Sequence, residues 1–144
     1  MRALMAIALF LAAFGVSAAT AGETREAILY KDPACGCCEA YAGYLRENGF
    51  AVTVRPTENM SLIKQRHAVP ERFEGCHTLL VDGYVIEGHV PLSAIERLLD
   101  ERPAIKGISL PGMPQGSPGM SGRKTAPFTI YELTDGAPKV YAVE

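Results

Sequence analysis

The hydrophobic positions divide the chain into alternating short and long periods. Apolar residues run through Glu26 to Tyr30 as in a strand, and Pro33 then turns the chain. Ala40, Tyr41, Tyr44 and Leu45 recur at helical spacing between Cys37 and Asn48, and Asn48-Gly49 is a helix stop. Phe50 to Val54 alternates and is β-branched, which predicts a second strand. Two strands joined by a helix predict parallel pairing through a right-handed crossover. Thr57 is placed to cap a second helix from Met60 to His67, which Val69-Pro70 ends. Thr78 to Val81 and Tyr84 to Glu87 read as two strands around Asp82-Gly83, a favoured two-residue hairpin turn. After Gly88-His89-Val90-Pro91, Leu92, Ile95, Leu98 and Leu99 follow the period of a third helix, and Arg102-Pro103 closes it.

Beyond Pro103 the pattern changes. Lys106 to Lys124 is rich in Gly, Pro and Ser and carries no helical or strand period, so it predicts a turn-rich segment. Such a segment is either disordered or packed across a neighbouring site. Pro127 to Leu133 and Lys139 to Val143 predict a terminal hairpin around Thr134-Asp135-Gly136. The order β-α-β-α-β-β-α is the core order of the thioredoxin fold, and other α/β sandwiches share parts of it. Cys35-Gly36-Cys37-Cys38 contains a C-x-x-C at the end of the first strand, which favours the thioredoxin reading. The expected class is therefore α/β: a thioredoxin-like sandwich with a mixed central sheet, a Gly/Pro/Met-rich loop and a C-terminal hairpin.

The N-terminus changes the picture of where this domain works. Met1-Arg2 precedes an uncharged apolar run from Ala3 to Val16, and Ala19-Thr20-Ala21 forms an A-x-A site before Gly22. That is the layout of a secretory signal peptide, and the run is shorter than the roughly 20 residues a spanning helix needs. Residues 1–21 are read as the signal peptide and residues 22–144 as a single domain without a membrane span. Cleavage near Ala21 removes Arg2 and no acid, so the formal charge moves from −2 to −3. The balance offers no basic patch for nucleic acid and no polybasic membrane anchor.

Export places all four cysteines where disulfides can form. Three of them within four residues close almost no loop, so they stabilise the chain little as staples. Clustering points instead to redox or metal chemistry. Cys35, in the turn before the helix, has its thiolate favoured by the unpaired N–H groups of that terminus; it is the expected attacking thiol, with Cys38 resolving. Cys37 is a third thiol that a dithiol enzyme does not need. Thiolates and thioethers are soft ligands that select Cu(I). Zinc sites usually pair two separated hooks, and no ferredoxin spacing is present. Three cysteines plus one suit sulfurs that bridge metals.

The fourth cysteine stands in Glu74-Gly75-Cys76-His77-Thr78, just before the hairpin. In a thioredoxin fold this position faces the C-x-x-C turn and usually carries a cis-proline, so Cys76 is expected to meet Cys35, Cys37 and Cys38. The alternative is a buried, inert cysteine. His77 is a candidate ligand, a thiol base or a strand-edge residue. His89 is a candidate ligand or supporting residue, or simply a helix-start residue bonded to backbone. His67, late on a helix beside Lys64 and Arg66, reads as solvated. Met113 and Met120, each next to Pro-Gly, are packing residues or ligands that close a copper site from above. Met60 reads as core.

Several blocks together resemble a known family. These are Tyr30-Lys31-Asp32-Pro33-x-Cys35-Gly36-Cys37-Cys38, Gly49-Phe50-x-Val52, Cys76-His77-Thr78, Val81 through Pro91, and Pro111-Gly112-Met113-Pro114-x-Gly116-Ser117-Pro118-Gly119-Met120. In this order they resemble the CopG copper-resistance proteins, exported bacterial proteins with a thioredoxin-like fold. The resemblance implies a periplasmic protein whose cysteines, here Cys35, Cys37, Cys38 and Cys76, bridge a multinuclear copper cluster and support copper redox interconversion during detoxification. The implied partners are copper ions, other periplasmic copper-handling proteins and a thiol or electron donor. Three functions are compatible with the residues: a copper oxidoreductase, a copper chaperone or buffer without turnover, and a metal-free thiol–disulfide enzyme.

Overall fold

The computed structural model of the protein describes residues 24–144. The expected signal peptide lies outside those residues. The first strand, β1 (Arg25–Lys31), buries Ala27, Leu29 and Lys31 on one face, the period of two that a strand imposes. Helix α1 (Gly36–Glu47) buries Cys38, Tyr41, Ala42 and Leu45, one stripe of a 3.6-residue period. Ala42 takes the inward position that the pattern assigned to Ala40, which is exposed. Strand β2 (Phe50–Pro56) returns parallel to β1.

Helix α2 (Met60–Arg66) is capped by Asn59, whose side chain accepts from the Leu62 N–H, rather than by Thr57. Thr57 acts one step earlier and accepts from the Asn59 N–H. Met60 is half-buried rather than core, while Lys64 is buried. A short 3-10 turn (Glu71–Phe73) leads to β3 (His77–Val81) and β4 (Tyr84–Gly88). The two strands pair antiparallel around Asp82 and Gly83, both with positive φ, as a two-residue hairpin turn of this hand requires. Helix α3 (Leu92–Glu101) buries Ala94, Ile95, Leu98 and Leu99, and Arg102 ends it in the left-handed conformation.

The pattern missed one strand. Gly107–Leu110 is β5, parallel to β4, inside the segment read as turns. All four residues are buried, so no alternation marks them. Its first position must be glycine, because a Cβ at Gly107 would lie 1.8 Å from the Val85 carbonyl oxygen. The terminal hairpin is present as β6 (Thr129–Glu132) and β7 (Val140–Val143).

The seven strands form one mixed sheet in the order β2-β1-β3-β4-β5-β6-β7. The first four, with α1 to α3, are the thioredoxin-like core, and the last three extend the sheet beyond β4. Leu29, Leu79, Ile86 and Ile108 form one core with Tyr41, Leu45, Ile95 and Leu98 of α1 and α3. On the opposite face Val85 packs with Val69 and Phe73. Among the described residues no helix is long and apolar enough to cross a membrane.

Candidate metal centre

The centre lies where β1 hands the chain to α1. Asp32 shapes the turn: its side chain accepts from the Ala34 N–H at 2.8 Å and its carbonyl from the Cys35 N–H at 3.0 Å. Cys35 then sits at the N-cap of α1, with Cys37 and Cys38 in the first turn. Below them Lys31, 2 % exposed at the end of β1, donates to the Asp32 and Pro33 carbonyls at 3.0 and 3.2 Å and pairs with Glu39.

Cys35 and Cys38 form a disulfide, and Cys37 and Cys76 are free thiols. Cys37 Sγ lies 3.5 Å from Cys35 Sγ, and Cys76 Sγ lies 3.5 Å from Cys38 Sγ. All four sulfurs fall within 4.8 Å of one another. The fold thus brings together donors 38 residues apart, because β3 lies beside β1 and starts at the same end of the sheet. Cys38 is fully buried; the other three are partly exposed.

Two imidazoles converge on Cys76. His89 Nε2 is 3.3 Å from Cys76 Sγ and His77 Nδ1 is 3.5 Å away. His89 Nδ1 lies 2.6 Å from the Pro118 carbonyl oxygen. A carbonyl only accepts, so Nδ1 carries the proton and the neutral ring turns the lone pair of Nε2 toward Cys76. The two imidazoles meet edge to face at 5.1 Å, and Tyr41 packs on both, stacked on His77 at 4.7 Å and edge-on to His89 at 5.1 Å. Its hydroxyl donates to the Val90 carbonyl at 2.8 Å.

Burial sets the protonation states. It pushes the Cys76 thiol up to about 12, with the neighbouring Cys37 adding to the effect. It pushes His77 down to about 3, helped by His89 and by the positive charge of Lys64. His89 is lowered by burial too, against the opposing pull of the Pro118 carbonyl. Both rings are therefore neutral donors. His77 Nε2 is buried without a hydrogen-bond partner, an arrangement that costs about 1–3 kcal/mol. Once the Cys35–Cys38 bond is reduced, four sulfurs and two neutral imidazoles form a soft-to-borderline donor set that suits Cu(I) and tolerates Cu(II).

Comparison with known proteins agrees with this chemistry. A family model described as a protein of unknown function, DUF411, matches residues 73–120, the stretch that carries Cys76, His77, His89 and the following loop. No curated protein matches. Two solved structures, forms 1 and 2 of a copper resistance protein CopG, are each 39% identical with a TM-score of 0.77. The matches cover 85% of this chain, 98% of the form 1 chain and 99% of the form 2 chain. The chain belongs to the CopG copper-resistance family.

In this CopG-family chain, the six cysteine and histidine candidates meet at one place, while the methionines are less engaged. Met113 is 40% exposed, with positive φ, in the turn after β5. Met120 is half-buried. The segment between them packs across the centre instead of being disordered: besides the Pro118 contact, a Cβ on Gly119 would lie 2.7 Å from the Tyr41 nitrogen and 3.1 Å from the Cys37 carbonyl. His67 is half-buried at the C-cap of α2 against Tyr30.

Sequence reasoning gave no role to Lys31, Lys64 and Glu87, all at most 5% exposed. One signal was available, since Glu87 interrupts the apolar run Tyr84-Val85-Ile86 in a strand two residues before His89.

Proposed function

We propose that this is a periplasmic copper-binding protein of copper resistance that holds Cu(I) in a cysteine-bridged, multinuclear cluster and interconverts Cu(I) and Cu(II). The observation that carries the reading is the meeting of four sulfurs, with two buried neutral imidazoles against Cys76. Cys35, Cys37, Cys38 and Cys76 would bind the metal, His77 and His89 would complete the donor set, and Met113 and Met120 would close it from the loop. The protein would be exported, lose its leader near Ala21 and exchange copper with other periplasmic copper-handling proteins.

The redox step uses the Cys35–Cys38 pair. Closing that S–S bond releases two electrons and two thiol protons, enough to convert two Cu(II) ions to two Cu(I). Opening it takes up two electrons, which a dithiol or another two-electron donor supplies. Cys35, at the helix N-terminus and partly exposed, is the thiol placed to meet that donor, with Cys38 resolving.

Anaerobic titration of the reduced mature protein with Cu(I), followed by metal analysis, tests the binding. More than one copper per chain is expected, with fewer in Cys37→Ser. No bound copper, or one zinc taken in preference, would end the reading. Catalytic amounts of protein should also speed copper redox conversion; conversion that stays stoichiometric with protein leaves a chaperone or buffer. The disulfide itself favours a second reading, a metal-free thiol–disulfide enzyme. That enzyme would retain insulin-reducing activity in Cys37→Ser.

A further inference from the structure

A buried charged network lies behind the centre, and neither the copper chemistry nor the thiol chemistry above uses it. Glu87 is 0% exposed on β4, and Lys64 is 5% exposed on α2. Glu87 Oε2 accepts from Lys64 Nζ at 2.6 Å and from the Gly75 N–H at 2.8 Å. Glu87 Oε1 accepts from the Thr78 hydroxyl, and Lys64 Nζ lies 3.3 Å from the same hydroxyl. One carboxylate therefore grips the chain immediately before and immediately after Cys76-His77. The backbone admits no slack at this point, because a Cβ on Gly75 would lie 2.5 Å from the Gly88 nitrogen.

The geometry points to Glu87 as a positioning residue for the metal donors, with Lys64 as its buried partner. Glu87 touches neither sulfur nor imidazole. It fixes the Gly75–Thr78 stretch from the opposite side of the sheet, and with it the direction of Cys76 Sγ and His77 Nδ1. His89 lies two residues further along the same chain as Glu87, so the carboxylate ties both arms of the donor set to one point. A carboxylate accepts several strong hydrogen bonds at once, which a hydroxyl or a single amide cannot do. Outer residues that orient ligands typically change metal affinity by about 10- to 100-fold when removed.

The inference rests in part on the copper reading, so its test has one arm with copper and one without. In the copper arm, Cu(I) is competed against a chromophoric chelator. Glu87→Ala should bind about tenfold or more weakly. Glu87→Gln, which keeps an acceptor for Gly75 but leaves the buried Lys64 without its counter-charge, should recover only part of the loss. Tyr84→Phe is the control: it removes a hydrogen bond to the Pro103 carbonyl at the far end of β4 and should leave affinity unchanged. The metal-free arm uses the oxidised Cys37→Ser background, where Cys76 is the sole free thiol, and measures its alkylation by iodoacetamide. Adding Glu87→Ala should change that rate several-fold, and adding Tyr84→Phe should not. If Glu87→Ala does not fold, the double variant Glu87→Leu with Lys64→Met, which removes the grip and both buried charges together, takes its place in both arms. Wild-type affinity together with an unchanged alkylation rate in a folded variant overturns the inference. If the parent protein binds no copper but the alkylation rate moves, the copper reading fails and the positioning role stands.

Discussion

At the scale of single residues, the centre is built from protonation states that burial fixes. Cys76, pushed up to about 12, holds its proton at neutral pH, whereas His77, pushed down to about 3, holds none on its free nitrogen. Metal binds the thiolate, so in the proposed cluster loading would displace the Cys76 proton. The sign follows: apparent Cu(I) affinity should rise with pH, by about tenfold per unit from Cys76 alone, throughout the range below about 12. His77 adds no dependence above about 3 because it is already neutral there. Competition titrations at three pH values between 6 and 8 would measure the slope, and a flat profile would mean that Cys76 is not a ligand. The cysteines and histidines of the centre were legible in the sequence because their chemistry is rare and their spacing short. Lys31, Lys64 and Glu87 were not, because lysine and glutamate ordinarily mark solvated positions. Their burial depends on partners that lie on other elements.

At the scale of elements, the Gly/Pro/Met-rich segment becomes a strap across the centre. Gly119 makes this possible: its φ is +78°, and a side chain would drive into α1 at Tyr41 and Cys37. Gly119→Ala should therefore destabilise the protein by about 1–3 kcal/mol, read as a lower denaturant midpoint. It should also free His89 Nδ1 from the Pro118 carbonyl, which nitrogen-15 shifts of the imidazole would report as a loss of the single tautomer. A variant with unchanged tautomer and stability would mean that the strap does not orient His89. The sequence showed the composition of this segment but left open whether it packs. The same composition concealed β5, whose four residues are buried on both faces and carry neither alternation nor helical period. By contrast β1, α1, β2 and α3 each have a solvated side, and their periods identified them; the β3–β4 hairpin is buried almost throughout and was marked by its Asp82-Gly83 turn.

At the scale of the whole molecule, the donors divide into local and long-range groups. Cys35, Cys37 and Cys38 stay close in the unfolded chain, since no more than three bonds of sequence separate them. Cys76 reaches Cys38 across 38 positions, and His89 joins Cys76 across 13. The order of the four core strands, readable from the succession of elements, is what closes those distances. A ligand stabilises a fold only through its preference for the folded state, by about 2.7 kcal/mol when free ligand is a hundred times its dissociation constant. An unfolded chain that keeps three sulfurs together also binds Cu(I), which subtracts from that gain. The stabilisation that survives is carried by Cys76 and the histidines, because only folding supplies them. Copper loading of the reduced protein should raise the thermal midpoint of the wild type by several degrees. Cys76→Ser should still bind some copper through its local cysteines but gain much less in midpoint. Differential scanning calorimetry at one buffered Cu(I) activity would compare the two. An equal rise in both would show that copper is held by the C-x-C-C segment alone, and that the fold built around Cys76 adds nothing to binding.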